Sequence, residues 1–150
     1  MTGLLHAEDL AAGDVFDLGS YHVTLAEILE FAGQWDPQVF HVDESAAEEG
    51  YFGTIIASGV HTVAIYQRLA VLGAYRNWAV IAGRRVTAEL PAPLTPGRTV
   101  TGTLWIDRVT STRSDRAMVV TRGRLVDPDG TVVLDTTVEA YVRRRAAPSS

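Results

Sequence analysis

Apolar residues recur along this chain with two different periods, and the change of period divides it. Leu25, Ile28, Leu29 and Ala32 fall at i, i+3, i+4 and i+7, one face of a helix that Trp35 extends. Thr24 stands at the N-cap position, and Glu27 three residues later has capping-box spacing. Asp36-Pro37 stops the run, because proline disfavours helix at the residue before it. Ahead of this helix, Gly13 to Val23 reads as a strand. Behind it a loop is predicted through about His41, then a short helix capped within Ser45-Ala46-Ala47-Glu48 and ended by Gly50.

The next segment is apolar on most sides. From Ser58 to about Leu72, Val60, Val63, Ala64, Ile65, Leu69, Ala70, Val71 and Leu72 leave little polar surface, which predicts a buried helix, with Gly73 suited to its C-terminal cap. No Asp or Glu occurs in it. Past Tyr75 to Trp78 the period becomes two. Val80, Ala82, Val86, Ala88 and Leu90 share one parity, as do Val100, Leu104 and Ile106, then Ala117, Val119 and Leu125, then Val132, Leu134, Val138 and Val142. Asp127-Pro128-Asp129-Gly130 has the residues of a tight turn, so the last two of these strands are predicted to pair as a hairpin. The expectation is an α+β domain, residues 1–150, in which a curved antiparallel sheet wraps one long helix. Residues 143–150 are expected to form a frayed tail, and open sheet edges favour dimerisation by edge pairing.

Composition narrows the function classes. The chain is 47% hydrophobic and 21% charged, which suits a packed soluble domain. All 13 basic residues are arginine, and against 18 acidic ones they leave a net charge of -5, the wrong sign for a nucleic-acid or anionic-membrane partner. Cysteine is absent, which removes disulfides, thiolate metal sites and a cysteine nucleophile. With no basic run before an apolar stretch at the N-terminus and no apolar run of about 20 residues, the expected location is the cytoplasm.

Candidate chemistry concentrates in Asp36-Pro37-Gln38-Val39-Phe40-His41-Val42-Asp43. Across the proline break an acid and an imidazole can converge on one water as a proton-transfer pair. The same residues also read as a turn: Asp-Pro is a frequent turn starter, a lone loop histidine is commonly structural, and Asp43 stands where the short helix needs its cap. A second set, Phe52-Gly53-Thr54-Ile55-Ile56-Ala57-Ser58-Gly59, ends at the mouth of the long helix. Free N–H groups at a helix start can polarise a carbonyl oxygen, and small residues there equally serve close packing. Ser58 lacks the G-x-S-x-G elbow of a nucleophile. The histidines at 6, 22, 41 and 61 have no zinc-ligand spacing, and no phosphate loop or dinucleotide fingerprint is present, so neither a metal nor a resident cofactor is expected.

Taken together, Trp35 to Asp43, Ala46-Ala47, Phe52-Gly53 and Ile56-Ala57-Ser58-Gly59-Val60-His61-Thr62 resemble the MaoC-type dehydratases, relatives of the (R)-specific enoyl-CoA hydratases. Leu90 to Thr99, with its Pro-Gly-Arg-Thr ending, is similar to the family's inter-strand segment, so the resemblance runs from about residue 10 to about residue 140. It implies a hot-dog fold, usually a homodimer. It also implies that Asp36 and His41 hold the water added across a trans-2-enoyl thioester, with coenzyme A entering as part of the substrate. The thioester carbonyl is expected at the Gly59 N–H, with Gln38, Phe40 and Ser58 on the substrate side. Gln38 stands where better studied hydratases often carry Asn, Val39 where they carry proline and Ser58 where they carry His.

The resemblance leaves rivals. A hot-dog thioesterase, or a fatty-acid-synthesis dehydratase, typically draws a carboxylate from the central helix, which has none here. A non-catalytic acyl-thioester-binding protein or heterodimer subunit is opposed by the retention of Asp36 and His41. Tyr21, Phe31, Trp35, Tyr51, Tyr66 and Trp78 are the candidates for setting acyl-tunnel depth, and Arg84, Arg85 and Arg98 for meeting phosphate.

Overall fold

The computed structural model describes residues 3–145. β1 (Val15–His22) leads into α1 (Leu25–Trp35), two short helices α2 (Val39–Val42) and α3 (Glu44–Glu48), and the long helix α4 (Gly59–Gly73). A 3-10 turn at Tyr75–Asn77 then opens a run of strands: β2 (Val80–Glu89), β3 (Thr99–Ser111), β4 (Arg116–Val126) and β5 (Val132–Arg143). The five strands form one antiparallel sheet in the order β1-β3-β4-β5-β2, so β1 and β2 are its edges. The α+β architecture of a helix held against an antiparallel sheet is therefore as expected.

One face of α4 lies on the sheet. Ile65, Tyr66, Leu69 and Ala70 are buried against Val100, Leu104, Val119, Leu125, Leu134 and Val142 in a continuous apolar core. Burying each of the larger side chains contributes about 1.5–3 kcal/mol, which outweighs the modest propensity of a helix rich in valine. Tyr66 comes so close to β4 that a Cβ on Gly123 would collide with its ring and hydroxyl. Glycine at 123 is thus a packing requirement: it lets the ring lie on the strand.

The other face of α4 is not covered. Val60 (60% exposed) and Leu72 stand in solvent, and every residue of β2 is exposed, Val86 among them, as is Leu90 just past its end. The expectation of a helix buried on most sides fails within one chain because a single sheet supplies only one layer. Trp35 also departs from the reading, being 70% exposed: Ile28 and Ala32 are the buried residues of α1, and the ring on its last turn has no layer beneath it.

Local chemistry explains the joins. Thr24 Oγ1 accepts the Glu27 N–H, but the Glu27 carboxylate accepts from the Tyr21 hydroxyl instead of reaching back, so half of the capping box is made. The loop expected through His41 contains one helical turn, α2, and Asp43 rather than Ser45 caps α3, accepting the Ala46 N–H. In the hairpin, Asp127 Oδ1 accepts from the N–H groups of Asp129 and Thr131, and Gly130 takes φ 84°. Arg98 pairs with Asp129 at 2.6 Å and so ties the approach to β3 to that turn. At the carboxyl end Arg143 closes β5, the Arg144 N–H bonds to the Asp115 carbonyl, and the Arg145 guanidinium forks onto Asp9 while its N–H reaches Glu8. The rest of the segment expected to be frayed, 146–150, lies outside the described residues.

Gly123→Ala is expected to lower unfolding free energy by about 1–3 kcal/mol, the usual cost of overpacking a filled core. Urea denaturation of the variant against the wild type measures it.

Candidate active site

The site forms where α1 ends and α4 begins. Asp36 is the C-cap of α1 and leaves helical geometry at φ -153°, as the following proline requires. Pro37 and Gln38 turn the chain into α2, whose single turn carries His41 into the interior, 3% exposed. The imidazole Nδ1 lies 2.7 Å from the Ile56 carbonyl oxygen. A carbonyl only accepts, so Nδ1 carries the proton and Nε2 bears the lone pair of the neutral ring. Nε2 is 3.5 Å from Asp36 Oδ2. The two side chains that sequence analysis paired do face each other.

The Asp36 carboxylate is held by two donors: Ser58 Oγ donates to Oδ2 at 2.6 Å and Gln38 Nε2 to Oδ1 at 2.8 Å. These bonds, Ser58 first, then Gln38, hold its pKa below the ordinary carboxylate value against the opposing effect of desolvation, and a charged His41 ring adds a smaller lowering of its own. Ser58 is fully buried as the N-cap of α4 and also accepts the Val60 N–H. Its partner across the fold was not legible from the serine's position alone, since 22 residues separate it from Asp36.

Gly59 opens α4. Among the described residues its N–H has no hydrogen-bond partner, and a Cβ there would meet Leu90 Cδ1 at 2.5 Å. His41, Phe40, Gly59, Thr62 and Leu90 line one cleft of about 310 Å³, closed on one side by the proline-containing segment that ends at Leu94. Phe40 meets His41 edge-on, ring centroids 4.4 Å apart. Of the residues placed on the substrate side, Phe40 lines the cleft, while Gln38 and Ser58 turn to Asp36. Leu90, read in the sequence as the last residue of a strand that in fact ends at Glu89, and the connection that follows it form the facing wall. None of the six residues considered for tunnel depth lines this cleft: Tyr66 and Trp78 are buried in the core, Trp35 and Tyr51 are exposed, and Tyr21 and Phe31 line a smaller pocket elsewhere. Arg98 is committed to Asp129 and Asp127, and Arg84 to Glu139.

That smaller pocket holds a second polar cluster missed in the sequence. His61 of α4 is buried and stacked on Phe31 with centroids 4.4 Å apart, its Nε2 3.9 Å from the Glu27 carboxylate that accepts from Tyr21. Burial lowers the His61 pKa and the nearby carboxylate opposes this. The cluster joins α1 to α4 and so fixes the helix that carries Asp36.

The fold and this site define a hot-dog protein with an acid–imidazole pair at the start of its central helix. The MaoC like domain family matches residues 9–127. A MaoC-like dehydratase from Rhodospirillum rubrum superposes with a TM-score of 0.84 at 38% identity, over 95% of this chain and 99% of that one. An (R)-hydratase from A. caviae, involved in PHA biosynthesis, superposes with a TM-score of 0.71 at 22% identity, over 92% and 99% of the two chains, a likeness of fold. Among curated proteins, the uncharacterized YdeM of Bacillus subtilis (strain 168) is 41% identical over 76 residues, which is 51% of this chain and 54% of that protein, so the match spans about half of each. The chain belongs to the MaoC-like domain family.

Because the Asp36 pKa is depressed in the folded state, its contribution to stability is complete above the unfolded carboxylate value and is lost as pH falls through the lower folded value. Thermal melts of the wild type are therefore expected to decline more steeply below about pH 5 than those of Asp36→Asn, whose amide has no such titration.

Proposed function

We propose that this chain is a hydro-lyase that reversibly hydrates 2-enoyl thioesters to 3-hydroxyacyl thioesters. The observation that carries the reading is the opposition of Asp36 Oδ2 and His41 Nε2 at 3.5 Å, with the Gly59 N–H free in the cleft that His41 lines. Two acceptors facing each other repel unless a donor lies between them. A water molecule donating one O–H to each satisfies both and turns its own lone pair outward to the substrate.

The chemistry follows from these assignments. The thioester oxygen accepts from the Gly59 N–H at the positive end of α4. As the water oxygen bonds to C3, the π electrons of the C2–C3 bond move onto the thioester as an enolate, and His41 Nε2 takes the released proton. The imidazolium so formed is balanced by the Asp36 carboxylate and returns the proton to C2 as the enolate collapses. One water is added overall, and dehydration runs the same steps backwards. Phe40 and the wall at Leu90 limit water in the cleft. No resident cofactor is called for; coenzyme A enters as part of the substrate. The absence of any Asp or Glu on α4 disfavours a thioesterase with its carboxylate on that helix.

The uncovered face of α4, where Val60 and Leu72 stand beside exposed Gln67 and Arg68, and the exposed β2 edge support a homodimer, in which a second copy covers both. Among the described residues no helix is long and apolar enough to cross a membrane, and we place the protein in the cytoplasm, in fatty acid metabolism.

Loss of the enoyl absorbance with a series of enoyl-CoA lengths is the test. Asp36→Asn and His41→Ala are each expected to cost about 10²–10⁴-fold in kcat, the usual contribution of a positioned acid or base, while remaining folded. A wild type that binds enoyl-CoA yet hydrates none would make the protein a binding member of its family. Sedimentation is expected to show a dimer that Val86→Asp dissociates, since a carboxylate there would be buried without a partner.

A further inference from the structure

We infer that Ser58 is a positioning residue of the reaction: its hydroxyl, bridging the first turn of α4 and the Asp36 carboxylate, holds that carboxylate aimed at the attacking water and in its charged form. The inference rests on the hydratase reading for its catalytic part, and on geometry for the rest.

The bridge is continuous. The Val60 N–H donates to Ser58 Oγ at 3.2 Å, and Ser58 Oγ donates to Asp36 Oδ2 at 2.6 Å. With its acceptor side engaged by an amide, the hydroxyl has one direction left for its proton, toward the carboxylate. The donor is buried, its acceptor is ionised, and the bond is short, the three features of a strong charge-assisted hydrogen bond. The helix start thereby serves two negative charges at once: Gly59 N–H is free for a thioester oxygen, while Val60 N–H acts through Ser58 on Asp36. A positive helix end favours both.

The oxygen that Ser58 holds is the one that faces His41, since Oδ2 is common to both contacts. Oδ1 is held separately by Gln38, an exposed side chain on the same loop, which can follow the loop if it moves. Ser58 cannot: it is anchored in the helix cap. The groups facing Asp36 are thus Ser58 from the cap of α4 and Gln38 from the loop, both neutral, and His41 from α2, which is titratable. Removing the serine hydroxyl leaves the imidazole facing a carboxylate that is both less restrained and more basic.

The test reads Asp36 directly. Carbonyl-¹³C aspartate labelling gives the carboxyl titrations, and Asp36→Asn identifies the resonance. In Ser58→Ala and Ser58→Gly the Asp36 midpoint is expected to rise by about one pH unit, a tenfold gain in proton affinity. Glycine is included because helix N-caps accept it nearly as well as serine, so a loss common to both variants is not a capping defect. Ser58→Thr, which keeps the hydroxyl, is expected to restore the wild-type midpoint. With enoyl-CoA, kcat is expected to fall about tenfold in the first two variants while KM stays near the wild-type value, because Ser58 does not line the cleft. An unmoved Asp36 midpoint in folded Ser58→Ala and Ser58→Gly overturns the proposal, even if kcat falls. A shifted midpoint with unchanged kcat overturns its catalytic part. A wild type inactive on every enoyl thioester brings down the hydratase reading instead, and the titration still decides whether Ser58 governs Asp36.

Discussion

The bond from the buried His41 ring to the Ile56 carbonyl is where fold and chemistry meet. It joins a single helical turn, too short to be stable alone, to the irregular segment leading into α4, and it places a proton on Nδ1 of the ring. Every later property of the site presupposes that choice. With Nδ1 engaged by a main-chain oxygen, Nε2 of the neutral ring is an acceptor facing a second acceptor, the Asp36 carboxylate, and it becomes that carboxylate's donor only when the ring takes up a proton.

Behind that bond stands the packing of α4. The ring of Tyr66 on Gly123 and the burial of Ile65 and Leu69 set the helix against the sheet, while the stack of His61 on Phe31 sets α1 against the helix. Asp36 and Gly59 are the adjoining ends of those two helices. Their relation is thus a property of two packed elements rather than of a loop, which suits a site that must hold reacting groups within fractions of an ångström.

Much of this was legible in the sequence, for reasons tied to particular residues. The parity of Val100, Leu104 and Ile106 survives because β3 is a central strand with one face on the core, and the Pro-Gly turn at 127–130 leaves the chain little freedom. The Asp36-Pro37 break identified the acid because proline must end the helix there. Less legible were contacts between distant segments. Period alone could not show that Trp35 lies past the last covered turn, that β2 is bare on both faces, or that Ser58 turns its hydroxyl to Asp36. Period records which residues avoid water, and cannot say which layer, in this chain or another copy of it, does the covering. The Glu27 side chain illustrates the same limit: capping-box spacing was correct for its N–H, while the carboxylate was drawn away to Tyr21 and the His61 cluster.

The fork of Arg145 onto Asp9, with Glu8 accepting its main-chain N–H, brings the beginning and the end of the described chain side by side on the surface. The stitch between residues 8, 9 and 145 clasps the segment ahead of β1 to the end of β5, so neither extremity of the described fold can peel away without first giving up a surface ion pair to the other.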